Sequence, residues 1–236
     1  MLKKSELNQN IHLSEGNIKS KCTDDVMFLT WSLPCKITCP YATKMCRKHC
    51  FAQKNQYFKT VLDSRMRNFE EAKKDTFVED MINHLKYQLS RKKSQDKIIY
   101  VRIHTSGDFF NLDYFIKWIN ITNYFRNNKK ILFQAYTKSI PIMNYYIQDY
   151  KTTYGYEFSD REILEDINIH FVWSIWEDTP KEYTDRAKEL ELQTFTAIPK
   201  KEIENVNNKI FICKGDCGNC KQCYVGKAKE IVIPIH

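Results

Sequence analysis

The chain has 236 residues, 42% hydrophobic and 14% aromatic, with a formal charge of +8. That is enough apolar material to fill a core without disulfides, and no apolar run approaches the roughly 20 residues of a membrane span. The charge admits anionic partners such as nucleic acid, but the signs are mixed, as where Glu70-Glu71 precedes Lys73-Lys74, which is the pattern of a solvated surface.

At the start, Met1-Leu2-Lys3-Lys4 leads into polar residues and not into a signal-peptide run, so a reducing cytoplasm is expected, with no membrane partner. Val26 to Trp31 is a short apolar run of strand length. A cysteine-rich loop follows. Tyr57, Phe58, Val61, Leu62, Met66 and Phe69 then recur at helical spacing. Thr76-Phe77-Val78-Glu79 has capping-box form and opens a second helix through Met81, Ile82, Leu85 and Leu89. Ile98 to Ile103 reads as a buried strand ending in the turn His104-Thr105-Ser106-Gly107-Asp108, and Leu112 to Ile119 as a helix. Ile131 to Tyr136 is the next strand and Pro141 to Tyr150 the next helix. Ile169 to Ser174 is a strand, and Asp178-Thr179-Pro180 supplies the cap and first-turn proline of the helix beyond it. Gln193 to Ile198 and Ile231 to Ile235 complete the series, with Ile210 to Ile212 as an extra short strand.

Strands alternating with helix-length segments predict parallel pairing with right-handed crossovers. About six such units make a partial barrel or a doubly wound sheet, read as one α/β domain over residues 1–236 with a Cys-rich segment at about 209–225. In either fold the site lies at the carboxyl ends of the strands. The Cys35–Cys50 loop, Ser106-Gly107-Asp108, Thr137-Lys138, Ser174 to Asp178 and Pro199-Lys200 all fall there. Gln134, Lys138, Glu177 and Asp178 are the polar groups expected at this rim to grip a substrate. Tyr136, Trp173 and Trp176 would stack on a base or serve as core.

Eight of the nine cysteines form two runs, Cys35-x3-Cys39-x6-Cys46-x3-Cys50 and Cys213-x3-Cys217-x2-Cys220-x2-Cys223; Cys22 stands alone and reads as an ordinary thiol. In a reducing compartment such density points to metal. The first run suits either two zinc knuckles or an iron–sulfur cluster, and its position at the strand ends favours the reactive cofactor. The second run, with Gly215 and Gly218 to let the backbone fold tightly, suits zinc and a cluster equally.

The motifs His12-Leu13-Ser14-Glu15-Gly16-Asn17, Leu33-Pro34, Thr38-Cys39-Pro40, Ala42-Thr43 and Cys46-Arg47-Lys48-His49-Cys50-Phe51-Ala52 resemble those of the phage "gene product 88" type of protein. So do Arg102-Ile103-His104-x-Ser106-Gly107-Asp108-Phe109 and the closing Cys217-Gly218-x-Cys220-x2-Cys223. Cys-x3-Cys-x2-Cys in the loop after strand one is the usual cluster motif of radical S-adenosylmethionine enzymes; here that spacing occurs at Cys213, Cys217 and Cys220 while the loop after strand one is spaced differently, so the chain resembles an atypical member. In size and cysteine spacing it resembles bacterial queuine lyase.

The resemblance implies a partial (β/α)6 barrel. It implies a 4Fe–4S cluster on Cys39, Cys46 and Cys50, with Cys35 outside the shared motif. Ser106-Gly107-Asp108 stands where such enzymes receive the methionine amino group, with Asp108 accepting it, and Ser174 would suit the carboxylate. His104, Gln134 and Tyr136 complete the expected cofactor-binding set, and Asp108, Lys138 and Glu177 the catalytic set. The implied chemistry is reductive cleavage of S-adenosylmethionine, hydrogen-atom abstraction and C–N scission of a deazapurine, with a reductant such as flavodoxin or ferredoxin as partner. A zinc-stabilised nucleic-acid-binding protein, and a radical enzyme acting on nucleic acid, are the alternatives.

Overall fold

The computed structural model describes residues 3–17 and 19–235; Met1 and Leu2, read above as the start of a chain with no signal run, lie outside the described residues. Its strands are β1 (Ser14–Glu15), β2 (Val26–Ser32), β3 (Ile98–Ser106), β4 (Ile131–Thr137), β5 (His170–Ile175), β6 (Gln193–Ile198), β7 (Phe211–Ile212) and β8 (Glu230–Pro234). They form one sheet in the order β1-β2-β3-β4-β5-β6-β8-β7. Among the described residues only the β1–β2 pairing is antiparallel. The fold is therefore α/β with a mostly parallel sheet, as the alternation predicts. From β2 to β6 the order never reverses, so no doubly wound switch point occurs there.

The helices are α1 (Lys44–Lys48), α2 (Phe51–Gln56), α3 (Lys59–Lys73), α4 (Phe77–Ser90), α5 (Leu112–Tyr124), α6 (Ile140–Tyr154), α7 (Asp160–Glu165), α8 (Lys181–Glu189), α9 (Cys217–Cys220) and α10 (Gln222–Val225). Among the described residues no helix is long and apolar enough to cross a membrane. Two expected caps differ. Thr76 sits in helical backbone at the N-cap of α4 and turns its hydroxyl to Asp80, so no capping box forms there; Ser159 and Glu162 form one at the start of α7. Pro180, not Asp178, occupies the N-cap of α8.

Strand alternation divides the sheet into two faces. Val101, Ile103, Phe133, Ala135, Phe171 and Trp173 point one way and join Phe77, Met81, Phe115, Trp118 and Met143 of the helices in the main core. On the other face Val26, Phe28 and Tyr100 pack against Tyr224, Cys217 and Cys223 of the Cys-rich segment. The segment 98–103, which reads as buried on both sides, thus has a core face and a second, more polar face bearing Arg102.

β3 also runs further than its sequence suggests. Its register with β2 steps from Thr30↔Arg102 to Ser32↔Ser106, so two extra residues bulge out of β3. His104 lies within the bulge with φ 68°, a left-handed conformation rare for a side chain of this size. The bulge turns Ser106-Gly107-Asp108 toward the thiol loop.

Candidate metal and thiol centre

The first cysteine run leaves β2 through Leu33 and Pro34 and is stitched to the end of β3. Leu33 N donates to Ser106 O at 2.8 Å, Ser106 Oγ donates to Leu33 O at 2.8 Å, and Asp108 N donates to Thr38 O at 3.0 Å. A Cβ on Gly107, whose φ is +88°, would stand 2.6 Å from Thr38 Oγ1 and 2.7 Å from Leu33 Cβ. The space that glycine leaves is filled by the thiol loop, and the Ser106 hydroxyl is bound to it. Both residues expected to receive a cofactor instead hold that loop in place.

Asp108 is likewise engaged. Its Oδ1 accepts from Thr137 Oγ1 at 2.7 Å and Phe109 N at 2.8 Å, and its Oδ2 from Lys138 N at 2.8 Å. Burial pushes its carboxyl up, against the pull of those donors. Asp108 thereby ties the end of β3 to the end of β4. Lys138 Nζ donates to Ser174 Oγ at 2.6 Å, which brings in the end of β5, and it also reaches the Cys46 thiol.

Cys39 and Cys46 lie beside this pair, and Cys50 lies beside them. Burial, reinforced by the Asp108 charge, pushes Cys39 up to about 12. Burial raises Cys46 too, against the opposing Lys138 charge. Cys35 and Cys50 share a hydrogen bond that lowers Cys50 and raises Cys35, so Cys50 is the thiolate of the pair. Cys35, outside the shared motif, is therefore in direct contact with one of its members. Backbone N–H groups of Ala52 and Gln53 support the Cys50 thiolate, and so does the buried Arg65 guanidinium. Arg65 Nη1 donates to Ala52 O at 3.0 Å and to Gln56 Oε1 at 3.1 Å, and Gln56 Oε1 takes Cys35 N at 2.6 Å.

The α1 helix carrying Cys46 is capped twice. Thr43 Oγ1 accepts from Cys46 N at 3.2 Å, and Asp178 Oδ2 accepts from Met45 N at 2.8 Å. Asp178 therefore caps the thiol helix rather than α8. His49 stacks on Trp176 with centroids 5.8 Å apart, so the Trp176 face expected to take a base is covered by the loop itself. Glu177 is exposed in the turn after β5, and no hydrogen bond or ion pair among the described residues joins it to Asp108 or Lys138.

The second run lies elsewhere. Cys213 N donates to Val232 O of β8 at 2.8 Å, and Cys217 N to Lys19 O at 2.8 Å. Burial raises Cys213, with Cys217 and Cys220 as its thiol neighbours. Cys223 is pushed up to about 12 by burial, and the Tyr136 hydroxyl hydrogen-bonds it. Tyr136 in turn carries the Arg102 guanidinium over its ring at 4.5 Å. Cys22 is exposed, its sulfur accepting weakly from Phe28 N.

His104 and Gln134 are not rim groups. His104 is buried, its Nε2 2.9 Å from the Tyr114 hydroxyl, which also accepts from Trp31 Nε1 at 2.9 Å. Burial, then the Arg102 charge, lowers it to about 3. Gln134 lies in mid-strand beside Arg102. Arg65 and Arg102 escaped the sequence reading, although each left a signal: a cation on the apolar stripe of a helix, and a cation inside an apolar strand.

The donor chemistry suits a soft metal: four thiols in one loop, one of them lowered by its neighbours, with Lys138 and Arg65 to balance thiolate charge. Among the described residues no three His, Cys, Asp or Glu side chains stand in a closed ligating cage, so the thiols are neighbours without forming a ligand shell. Two surface clefts border neither run; one lies along α3 by Asn10, Asp63 and Arg67, the other between α4 and α5 by Ile82, Lys86 and Tyr124.

The family model described as gene product 88 matches residues 2–226. No curated protein and no solved structure matches significantly.

Proposed function

The chain belongs to the gene product 88 family, and from that premise we propose that it is an iron–sulfur radical S-adenosylmethionine enzyme. Its reaction would be that of a lyase, cleaving a C–N bond of a queuine-like 7-deazaguanine to release 7-aminomethyl-7-deazaguanine. The observation that carries this reading is the position of Cys39 and Cys46 beside Asp108 at the strand ends, with Lys138 at Cys46 and Cys50 next to both thiols. From β2 to β6 the strand order also suits a partial (β/α)6 barrel, because crossovers that do not reverse keep their helices on one face and let the sheet curl.

Cys39, Cys46 and Cys50 would hold the 4Fe–4S cluster, with Cys35 as the proton partner of Cys50. Bound there, the cluster and S-adenosylmethionine supply a one-electron route to a carbon-centred radical. The chain's own part is positional. Asp108 locks the ends of β3 and β4 together, Lys138 presents an ammonium group between Ser174 and Cys46, and the His49–Trp176 stack shields the loop from water. Glu177 stays free on the rim for an arriving substrate. The second run would hold zinc or another cluster against the Tyr136 hydroxyl.

From Val26 to Leu62 the chain carries six basic residues and no acidic one, and Phe51, Tyr57 and Phe58 are exposed there. This collar suits an acidic electron carrier of the flavodoxin or ferredoxin kind. It equally favours the second reading, in which the collar binds nucleic acid by charge and stacking, with the metal structural or with a nucleotide as substrate.

Anaerobic reconstitution with iron and sulfide should give a brown protein that cleaves S-adenosylmethionine when reduced. A colourless protein with stoichiometric zinc, no cleavage and salt-dependent binding to tRNA would replace this reading with the second.

A further inference from the structure

Thr30, Arg102 and Gln134 form one lateral row across β2, β3 and β4. Phe133 and Ala135, which flank Gln134, belong to the helix-packed core, so alternation places the Gln134 amide on the opposite face. On that face α10 packs against β4 and β5, and the Tyr136 ring lies between the Arg102 guanidinium and Cys223. The row therefore sits between the Lys138 rim and the second thiol run.

Gln134 is 0% exposed, and among the described residues neither its amide nitrogen nor its amide oxygen has a partner; Arg102 Nε beside it is buried and likewise unpartnered among them. Buried polar groups are almost always hydrogen-bonded, and an orphaned one is destabilising. A leucine or methionine in this row would carry no such cost. The glutamine amide offers a donor and an acceptor side by side, the complement of a ring N–H next to a ring C=O.

We propose that Gln134 and Arg102 form a binding site for a planar heterocycle with a lactam edge. Gln134 Oε1 accepts the ring N–H, Gln134 Nε2 donates to the ring carbonyl, and Arg102 Nε donates to that same oxygen. This rests on the deazapurine reading above and deepens it, because it names the residues that read the ring. It also assigns Gln134 to substrate rather than to the cofactor.

The test is calorimetric titration of 7-deazaguanine into the full chain, with neither S-adenosylmethionine nor reductant present, against the N1-methyl derivative that lacks the ring N–H. Wild type should bind 7-deazaguanine at least tenfold more tightly than the methylated probe. Gln134→Leu should weaken binding by 10- to 100-fold and raise the ligand-free melting temperature, since it removes an unpaired amide; Arg102→Met should weaken binding about tenfold. Equal affinity for the two probes, no binding, or a Gln134→Leu variant that melts lower than wild type would overturn the site and make the row a water-satisfied structural feature. Cleavage of S-adenosylmethionine by the reduced wild type is measured separately. Lactam binding without cleavage keeps the site and sinks the radical reading, and cleavage without lactam binding does the reverse.

Discussion

The Asp178 carboxylate accepts the Met45 backbone N–H at 2.8 Å and so caps a helix 133 residues away in the chain. Through that bond the loop after β5 holds the helix that carries Cys46. Asp178→Ala should remove about 1 kcal/mol of local stability, a usual cap contribution, and speed amide exchange at residues 45–47. Asp178→Asn, which can still accept, should recover most of it. Unchanged exchange in the alanine variant would show the cap to be idle.

Gly107→Ala tests the contact between β3 and the thiol loop. The new Cβ meets Thr38 Oγ1 and Leu33 Cβ at 2.6 and 2.7 Å in a left-handed backbone. Strain and overpacking together should cost about 2–4 kcal/mol in urea unfolding and lower the iron taken up. A loss under about 0.5 kcal/mol would mean that the loop moves aside freely.

His104 predicts an acid-sensitive fold. Its ordinary value is 6.5 and burial lowers it to about 3 in the folded chain. The unfolded chain therefore binds a proton that the folded chain refuses, and stability present above pH 6.5 is lost as pH falls toward 3. Between pH 6.5 and 5 that amounts to roughly 2 kcal/mol, on the order of 1.4 kcal/mol per unit. His104→Gln should flatten this slope, whatever its stability at pH 7. A variant with the wild-type slope would move the acid sensitivity to His84 or His170, which burial also lowers.

The two thiol runs should fail separately. Cys46→Ala should lose the iron of the first centre and all cleavage of S-adenosylmethionine, while leaving the metal of the second run. Cys220→Ala should do the opposite for metal content. Iron, sulfide and zinc analysis of both variants decides this, and loss of all metal from either one would mean that the runs share one centre.

The alternation of strands and helices was legible because it rests on hydrophobic period, which is local. The parallel strands and the placing of the first thiol loop after β2 came from that pattern, whereas the strand order did not, since a partial barrel and a doubly wound sheet share the same alternation. The bulge at His104 was not legible, since it comes from a register step that only pairing with β2 reveals. Nor were the missed caps, because a donor and acceptor as distant in sequence as Met45 and Asp178 leave no spacing signal.

By itself, then, the sequence determined which residues have the chemistry: eight clustered thiols in two runs, and an Asp and a Lys at strand ends. Tertiary structure decided their work. It turned Ser106, Gly107 and Asp108 into braces for the thiol loop, joined Cys35 to Cys50, and left Gln134 buried with both amide atoms free. The reason is physical: side-chain chemistry belongs to single residues, whereas burial and hydrogen-bond partnership depend on which distant strands become neighbours.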